Sequence, residues 1–203
     1  GRVFGGYGDA YYGTISEILV YNADIGVPAI QTIESYLMAK WQPGTLVPKF
    51  TIPAGIALPF SPLQITGCCL WLDANDPAGT GTQPSAGALA TWTDKSGSSN
   101  HMTAAGTTPT FSNVPPGAIT FGGAGYYSKA TAVFSNFYTA FFVYKQTGGG
   151  PLYTTGASSG SNGLFPNESG TTYCTRGDST WYTTSSPFAS NVTNLAGVSF
   201  SSN

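Results

Sequence analysis

A chain of 203 residues with 41% hydrophobic and only 8% charged side chains can bury a core, but its surface must be polar without being ionic, since about a quarter of an ordinary soluble domain is charged. Twenty-seven Gly, 14 Pro and a 14% aromatic share, with abundant Ser and Thr, suit short strands and turns and exclude amphipathic helices as the main element. Seven bases against nine acids leave a net charge of −2, which excludes a basic field for a nucleic-acid backbone.

The first stretch, residues 1–41, contains Ile15-Ser16-Glu17-Ile18-Leu19-Val20-Tyr21, β-branched and aromatic enough for a strand buried on both faces. Past Asn22-Ala23-Asp24 the period changes. Ile30, Ile33, Leu37 and Trp41 recur at spacings of three and four, one stripe of a short helix with Pro28 in its first turn and Pro43-Gly44 ending it. Residues 42–67 carry Pro43, Pro48, Pro53, Pro59 and Pro62, which forbid a helix and interrupt a central strand. Leu46, Phe50, Ile52, Ile56, Leu58 and Phe60 lie between them, so the segment is expected to be an extended strap packed on a protein surface.

From Cys68 to Asn203 short apolar runs alternate with turns. Cys68-Cys69-Leu70-Trp71-Leu72 reads as a buried strand ending at Asp73, and residues 88–93 as the next strand. Ile119 and Phe121 alternate with Ala118 and Thr120, a half-buried strand closed by Gly122-Gly123. Residues 137–143 are apolar on both faces and predict a central strand, with shorter strands at 152–153, 172–174, 180–182 and 198–200. Many strands at short intervals indicate an all-β fold, an antiparallel sandwich or barrel, with one short helix near the N-terminal part. No apolar run is long enough to span a bilayer. Gly1 is not an initiator Met and no leader-like segment follows it, so the chain reads as a segment of a longer protein. Cys68, Cys69 and Cys174 are too few for a disulfide framework. Adjacent cysteines bridge only with strain, so free, partly buried thiols are expected.

Gly13-Thr14-Ile15-Ser16-Glu17-Ile18-Leu19-Val20-Tyr21-Asn22 followed by Ile33-Glu34-Ser35-Tyr36-Leu37-Met38-Ala39-Lys40-Trp41 resembles the closing strand and helix of laminin-G-like modules, members of the concanavalin A-like lectin/glucanase superfamily. Leu70-Trp71-Leu72-Asp73-Ala74-Asn75-Asp76 resembles the opening strand of the same kind of module. Residues 91–101, with Trp92, Asp94, Ser96 and Gly97, look like its second-strand turn, and Ile119-Thr120-Phe121-Gly122-Gly123 is similar to a later strand ending. The resemblance implies a jelly roll of two antiparallel sheets in a tandem array, with a module's end preceding a module's beginning. Tandem modules close on themselves, so downstream sequence is expected to complete residues 68–203; the alternative is that residues 1–41 fold back and complete them.

The superfamily's glucanase branch clusters carboxylates on one strand, and such chemistry needs an acid and a nucleophile roughly 5 Å apart. Glu17, Glu34 and Glu168 are far apart in sequence, and Glu17 has no carboxylate at i+2 or i+4. His101, the one histidine, lies in a Ser/Asn-rich turn, where a solvated role is expected rather than a triad. Asp73, Asn75, Asp76 and Asp94 are oxygen ligands of the kind calcium prefers, but Asp and Asn also stop strands by bonding their own backbone. Sugar binding needs aromatic faces beside amide or carboxylate groups; Trp181 and Tyr182 with Asn167 and Asp178 are the candidates, or Tyr126-Tyr127, against the reading that most aromatics are core. Arg176-Gly177-Asp178 spells an integrin-type tripeptide, and Asn167 and Asn191 open glycosylation acceptor sequences.

The chain is therefore expected to be a non-catalytic structural and interaction protein without a cofactor, in the capsid or on the surface of a large viral particle. Its expected partners are neighbouring proteins of the assembly, with no nucleic acid and no membrane span. The rival reading is a carbohydrate-binding adhesin on a virus or cell surface. A glycoside hydrolase with its catalytic residues in flanking sequence is a third.

Overall fold

The computed structural model describes residues 11–41, 60–114, 116–131, 133, 138–148, 150–154, 163–168, 171–175, 181–184 and 191–200. In chain order the elements are β1 (Tyr12–Tyr21), α1 (Gly26–Trp41), β2 (Cys68–Asp73), β3 (Gly87–Ala88), β4 (Thr91–Trp92), β5 (Met102–Gly106), β6 (Thr110–Ser112) and β7 (Ala118–Gly122). They continue with β8 (Gly125–Ser128), β9 (Tyr138–Gln146), β10 (Tyr153–Thr154), β11 (Gly163–Glu168), β12 (Thr171–Thr175), β13 (Trp181–Thr184) and β14 (Asn194–Phe200). The described residues are mostly strand, in antiparallel sheets, with one α-helix.

Seven strands form the largest sheet, in the order β14-β9-β1-β7-β6-β3, with β2 also paired to β1. Along one edge β1 meets β9 over most of its length; its other edge is shared, with β7 opposite Tyr12 to Ile15 and β2 opposite Glu17 to Tyr21. The apolar run of β1 thus becomes the middle of the sheet, and Ile15, Ile18, Leu19, Val20 and Tyr21 are fully buried. Residues 12–21 thus pair directly with strands drawn from residues 68–203. A strand apolar on both faces is stable only between neighbours and under two covering layers, and β1 takes that place beside β2, β7 and β9.

A register shift interrupts the β1–β9 ladder, with Ile15 opposite Tyr144 and Glu17 opposite Val143. Ser16 is the extra residue, and its carbonyl accepts the Ala74 N–H at 2.8 Å. The bulge breaks the two-residue alternation. Ile15 therefore shares a face with Tyr144, while Glu17 shares the opposite face with Val143 on one side and Asp73 on the other.

Helix α1 follows β1 through a short Asx turn in which the Asp24 carboxylate accepts the Gly26 N–H at 3.0 Å. Ile33, Leu37 and Trp41 of the expected stripe are buried and Ile30 packs against the same core. The expected stop at Pro43-Gly44 and most of the proline-rich strap lie outside the described residues; at its end Ser61 caps a 3₁₀ turn, Pro62–Gln64.

Away from the helix, buried aromatics join the sheets. Trp92 and Phe121 both meet Tyr127, at ring-centre distances of 5.9 and 6.0 Å, and Phe142 stacks on Tyr153 at 5.0 Å. The single strand expected over residues 88–93 is two: β3 pairs with β6 in the large sheet, and β4 pairs with β5 in a three-stranded sheet, β4-β5-β8. Leu89 and Ala90 make the crossing, each bonding a different neighbour through its backbone, Leu89 N–H to Pro109 and Ala90 C=O to Ala104 N–H. The last four-stranded sheet runs β10-β11-β12-β13. No helix among the described residues is long and apolar enough to cross a membrane.

Candidate functional site

Among the described residues, the densest group of ionisable side chains lies between α1 and the large sheet. Glu17 is fully buried, and each of its carboxylate oxygens takes two donors. Oε1 accepts from the Tyr36 hydroxyl at 2.9 Å and Trp71 Nε1 at 2.8 Å; Oε2 accepts from Trp41 Nε1 at 2.5 Å and Lys40 Nζ at 2.9 Å. Three of these donors come from the last turns of α1, where residues 36, 40 and 41 share a face. The fourth comes from Trp71 of β2, two residue pairs along from Glu17 on the same face.

Asp73 stands directly across the strand pair from Glu17. Its Oδ2 meets Lys40 Nζ at 2.9 Å and Lys95 Nζ at 3.2 Å, while Oδ1 accepts the Asn75 N–H at 2.9 Å. Lys95 reaches on to Asp76 at 3.0 Å. Charge therefore alternates along Glu17, Lys40, Asp73, Lys95 and Asp76. The ammonium groups also lie against rings, Lys40 at 4.9 Å from the centre of Trp41 and Lys95 at 4.6 Å from Trp71, a favourable contact for a partly desolvated cation.

Burial raises the Glu17 carboxyl above its ordinary range, and Asp73 adds to the rise, while Lys40 and Trp41 oppose it. Four donors and no acceptor make the pocket complementary to the anion. Burial alone would lower the Lys95 ammonium, but Asp73 and Asp76 outweigh it and hold it above its usual value.

The oxygen donors considered for calcium are committed to the chain itself. Asp94 accepts from Trp71 N–H, Ser96 N–H, Ser96 Oγ and Asn100 N–H, all between 2.8 and 2.9 Å. Asp76 Oδ1 accepts from Thr80 and Gly81 N–H, and Asn75 Oδ1 from Gly117 N–H at 2.9 Å. Lys95, not a shared vacancy, lies between Asp73 and Asp76. Among the described residues no group of three or more His, Cys, Asp or Glu is placed to hold a metal ion.

The sugar-binding candidates are spread along the four-stranded sheet. Trp181 pairs with Thr175, which pairs with Gly163 at the start of β11, whereas Asn167 lies four residues further along that strand. At about 3.3 Å per residue the two rows are roughly 13 Å apart. Asp178 and the rest of Arg176-Gly177-Asp178 lie outside the described residues. Tyr127 is fully buried and its hydroxyl donates to the Leu89 carbonyl at 2.5 Å, so the Tyr126-Tyr127 pair offers no double stacking platform. Exposed His101 accepts the Asp94 N–H on Nδ1, a turn contact. Cys68 and Cys69 are free and half-buried. Burial pushes their thiols up to about 12 and about 11, the behaviour of inert cysteines.

No family model, curated protein or solved structure matches the chain. The site therefore stands on its own geometry. Sequence reasoning discounted Glu17 because no second carboxylate lies at i+2 or i+4, and so missed that Asp73 faces it across a strand pair. The available signal was a glutamate inside an otherwise apolar run, since an unpaired carboxylate is almost never fully buried.

Proposed function

We propose that the chain is a non-catalytic structural and interaction module, a lectin-like jelly roll of the laminin-G-like kind, serving in the shell or on the surface of a large viral particle. One observation carries the non-catalytic part. Glu17 and Asp73, the facing carboxylates, are bridged by Lys40 and overlaid by the Tyr36 and Trp41 side chains, whereas a glycosidase must hold a sugar ring between its two acids. Their charges hold the helix to the sheet instead. The low charge of the chain favours assembly, because few ionic groups must be desolvated when surface is buried against a neighbour. The viral setting rests on the sequence resemblance.

Incubation with a panel of β-glucans and other polysaccharides, read by reducing-sugar release and by a glycan array, tests the proposal. Neither turnover nor array binding is expected. Sugar release that disappears in Glu17→Gln would refute the non-catalytic reading, and an array signal lost in Trp181→Ala would replace it with the adhesin.

A further inference from the structure

The group Lys40, Glu17 and Asp73 does more than balance charge. Lys40 Nζ lies 2.9 Å from Glu17 Oε2 and 2.9 Å from Asp73 Oδ2. It is the one lysine of the ladder that touches both facing carboxylates, since Lys95 touches Asp73 and Asp76. The Lys40 side chain is only 19% exposed and Asp73 only 6%. An amine, a carboxyl carbon and a second, buried carboxylate are thus held in contact, the two acids by the β1–β2 ladder and the amine by α1 packed through Ile33, Leu37 and Trp41, which converts a bimolecular condensation into an intramolecular one.

We propose that Lys40 and Asp73 condense to a side-chain amide, with Glu17 moving the protons. The Lys40 ammonium gives one proton to Glu17, and the neutral amine attacks Asp73 Cγ, forming the N–C bond. Glu17 hands that proton to Oδ2 and then relays a second one from nitrogen to the same oxygen. The Cγ–Oδ2 bond breaks and water leaves. Ammonium and carboxylate disappear together, one N–H remains facing Glu17, and Glu17 ends as it began. No oxidant, metal or further reactant enters the balance.

The surroundings suit each step. Burial raises the affinity of Glu17 for the proton it must take. The Asn75 N–H at 2.9 Å already binds Oδ1, the oxygen that stays as the amide carbonyl. Lys95 at 3.2 Å holds Oδ2, the oxygen that departs, in place, while the charge that develops falls on Oδ1, where the Asn75 N–H meets it. Tyr36 and the two indoles hold Glu17 through its remaining lone pairs. The bond would tie the end of α1 to the end of β2 and close a loop around the proline-rich residues 42–67. It is independent of the particle or ligand the module serves.

Intact-mass spectrometry of the denatured full chain decides the matter. The expected mass is that of the sequence less one water, and trypsin is expected to release residues 3–49 joined to residues 50–95, uncut after Lys40. Lys40→Arg is expected at its full sequence mass. Asp73→Asn is expected to link with loss of ammonia in place of water. Glu17→Gln with a wild-type far-UV spectrum is expected to remain unlinked, and linkage there at the wild-type rate would overturn the role of Glu17. A wild-type chain at full sequence mass overturns the proposal whether or not any variant folds. A missing water confined to one peptide, or mapped to Lys95, overturns it equally.

Discussion

Replacing Trp41 with Phe removes one donor from the buried carboxylate while leaving a ring in the core. Trp41 is 4% exposed and its Nε1 lies 2.5 Å from Glu17 Oε2. A hydrogen bond to a charged group contributes about 1.5–3 kcal/mol, and shrinking a buried indole to a phenyl adds roughly 1 kcal/mol for lost packing. Trp41→Phe should therefore cost about 3 kcal/mol, roughly a 10 °C fall in Tm for a chain of this size. Trp92 supplies the control, because it is fully buried too but its Nε1 has no hydrogen-bond partner among the described residues. Trp92→Phe should lose only the packing contribution, about 1 kcal/mol. Urea denaturation followed by far-UV circular dichroism measures both. If Trp41→Phe proves no costlier than Trp92→Phe, the Glu17 pocket does not hold the helix to the sheet and the reasoning fails.

Stability should fall as pH rises above about 9. The Cys68 and Cys69 thiols are raised from 9.0 to about 12 and about 11, and the Lys95 ammonium and the Tyr21, Tyr127 and Tyr144 hydroxyls are raised as well. In each case the unfolded chain loses its proton first, so the folded state binds more protons and the slope of stability with pH is negative; urea midpoints that stay flat from pH 8 to pH 11 would contradict this. Gly125→Ala should cost about 2 kcal/mol or more, because a Cβ there would run into the Thr107 carbonyl. Gly122→Ala, facing open space, should stay within about 0.5 kcal/mol of wild type, and equal thermal melts for the two would refute the close approach. Deleting residues 1–41 should abolish cooperative melting by calorimetry, since β1 is interior to the sheet; a remaining chain that still melts cooperatively would show that β1 is dispensable.

The strongly patterned elements were readable in the chain: β1, α1, β2, β7 and β9 each carry a long apolar run or a clear stripe. The strands that escaped notice are weakly patterned. β5, Met102–Gly106, has one Thr among Met, Ala and Gly, so little strand preference of its own, and it is held by pairing with β4 and β8. Two-residue strands such as β3 exist only through their partners, which is why residues 88–93 looked continuous. The charge ladder was invisible for a different reason. Lys40 and Asp73 are brought to Glu17 by a helix that returns over the sheet and by a neighbouring strand, and no local spacing encodes either approach. The bulge at Ser16 was equally hidden, although it decides that Glu17 faces the helix and not the aromatic core.

The order in which β1 meets its neighbours also governs how the chain is made. Residues 12–21 leave the ribosome well before β2, β7 and β9, and their longest partner ends at Gln146. At 5–20 residues per second, that greasy segment waits on the order of ten seconds for its permanent neighbour. Such late, distant pairing slows folding and leaves apolar surface exposed in the meantime, so expression at reduced temperature with co-expressed chaperones should raise the soluble yield.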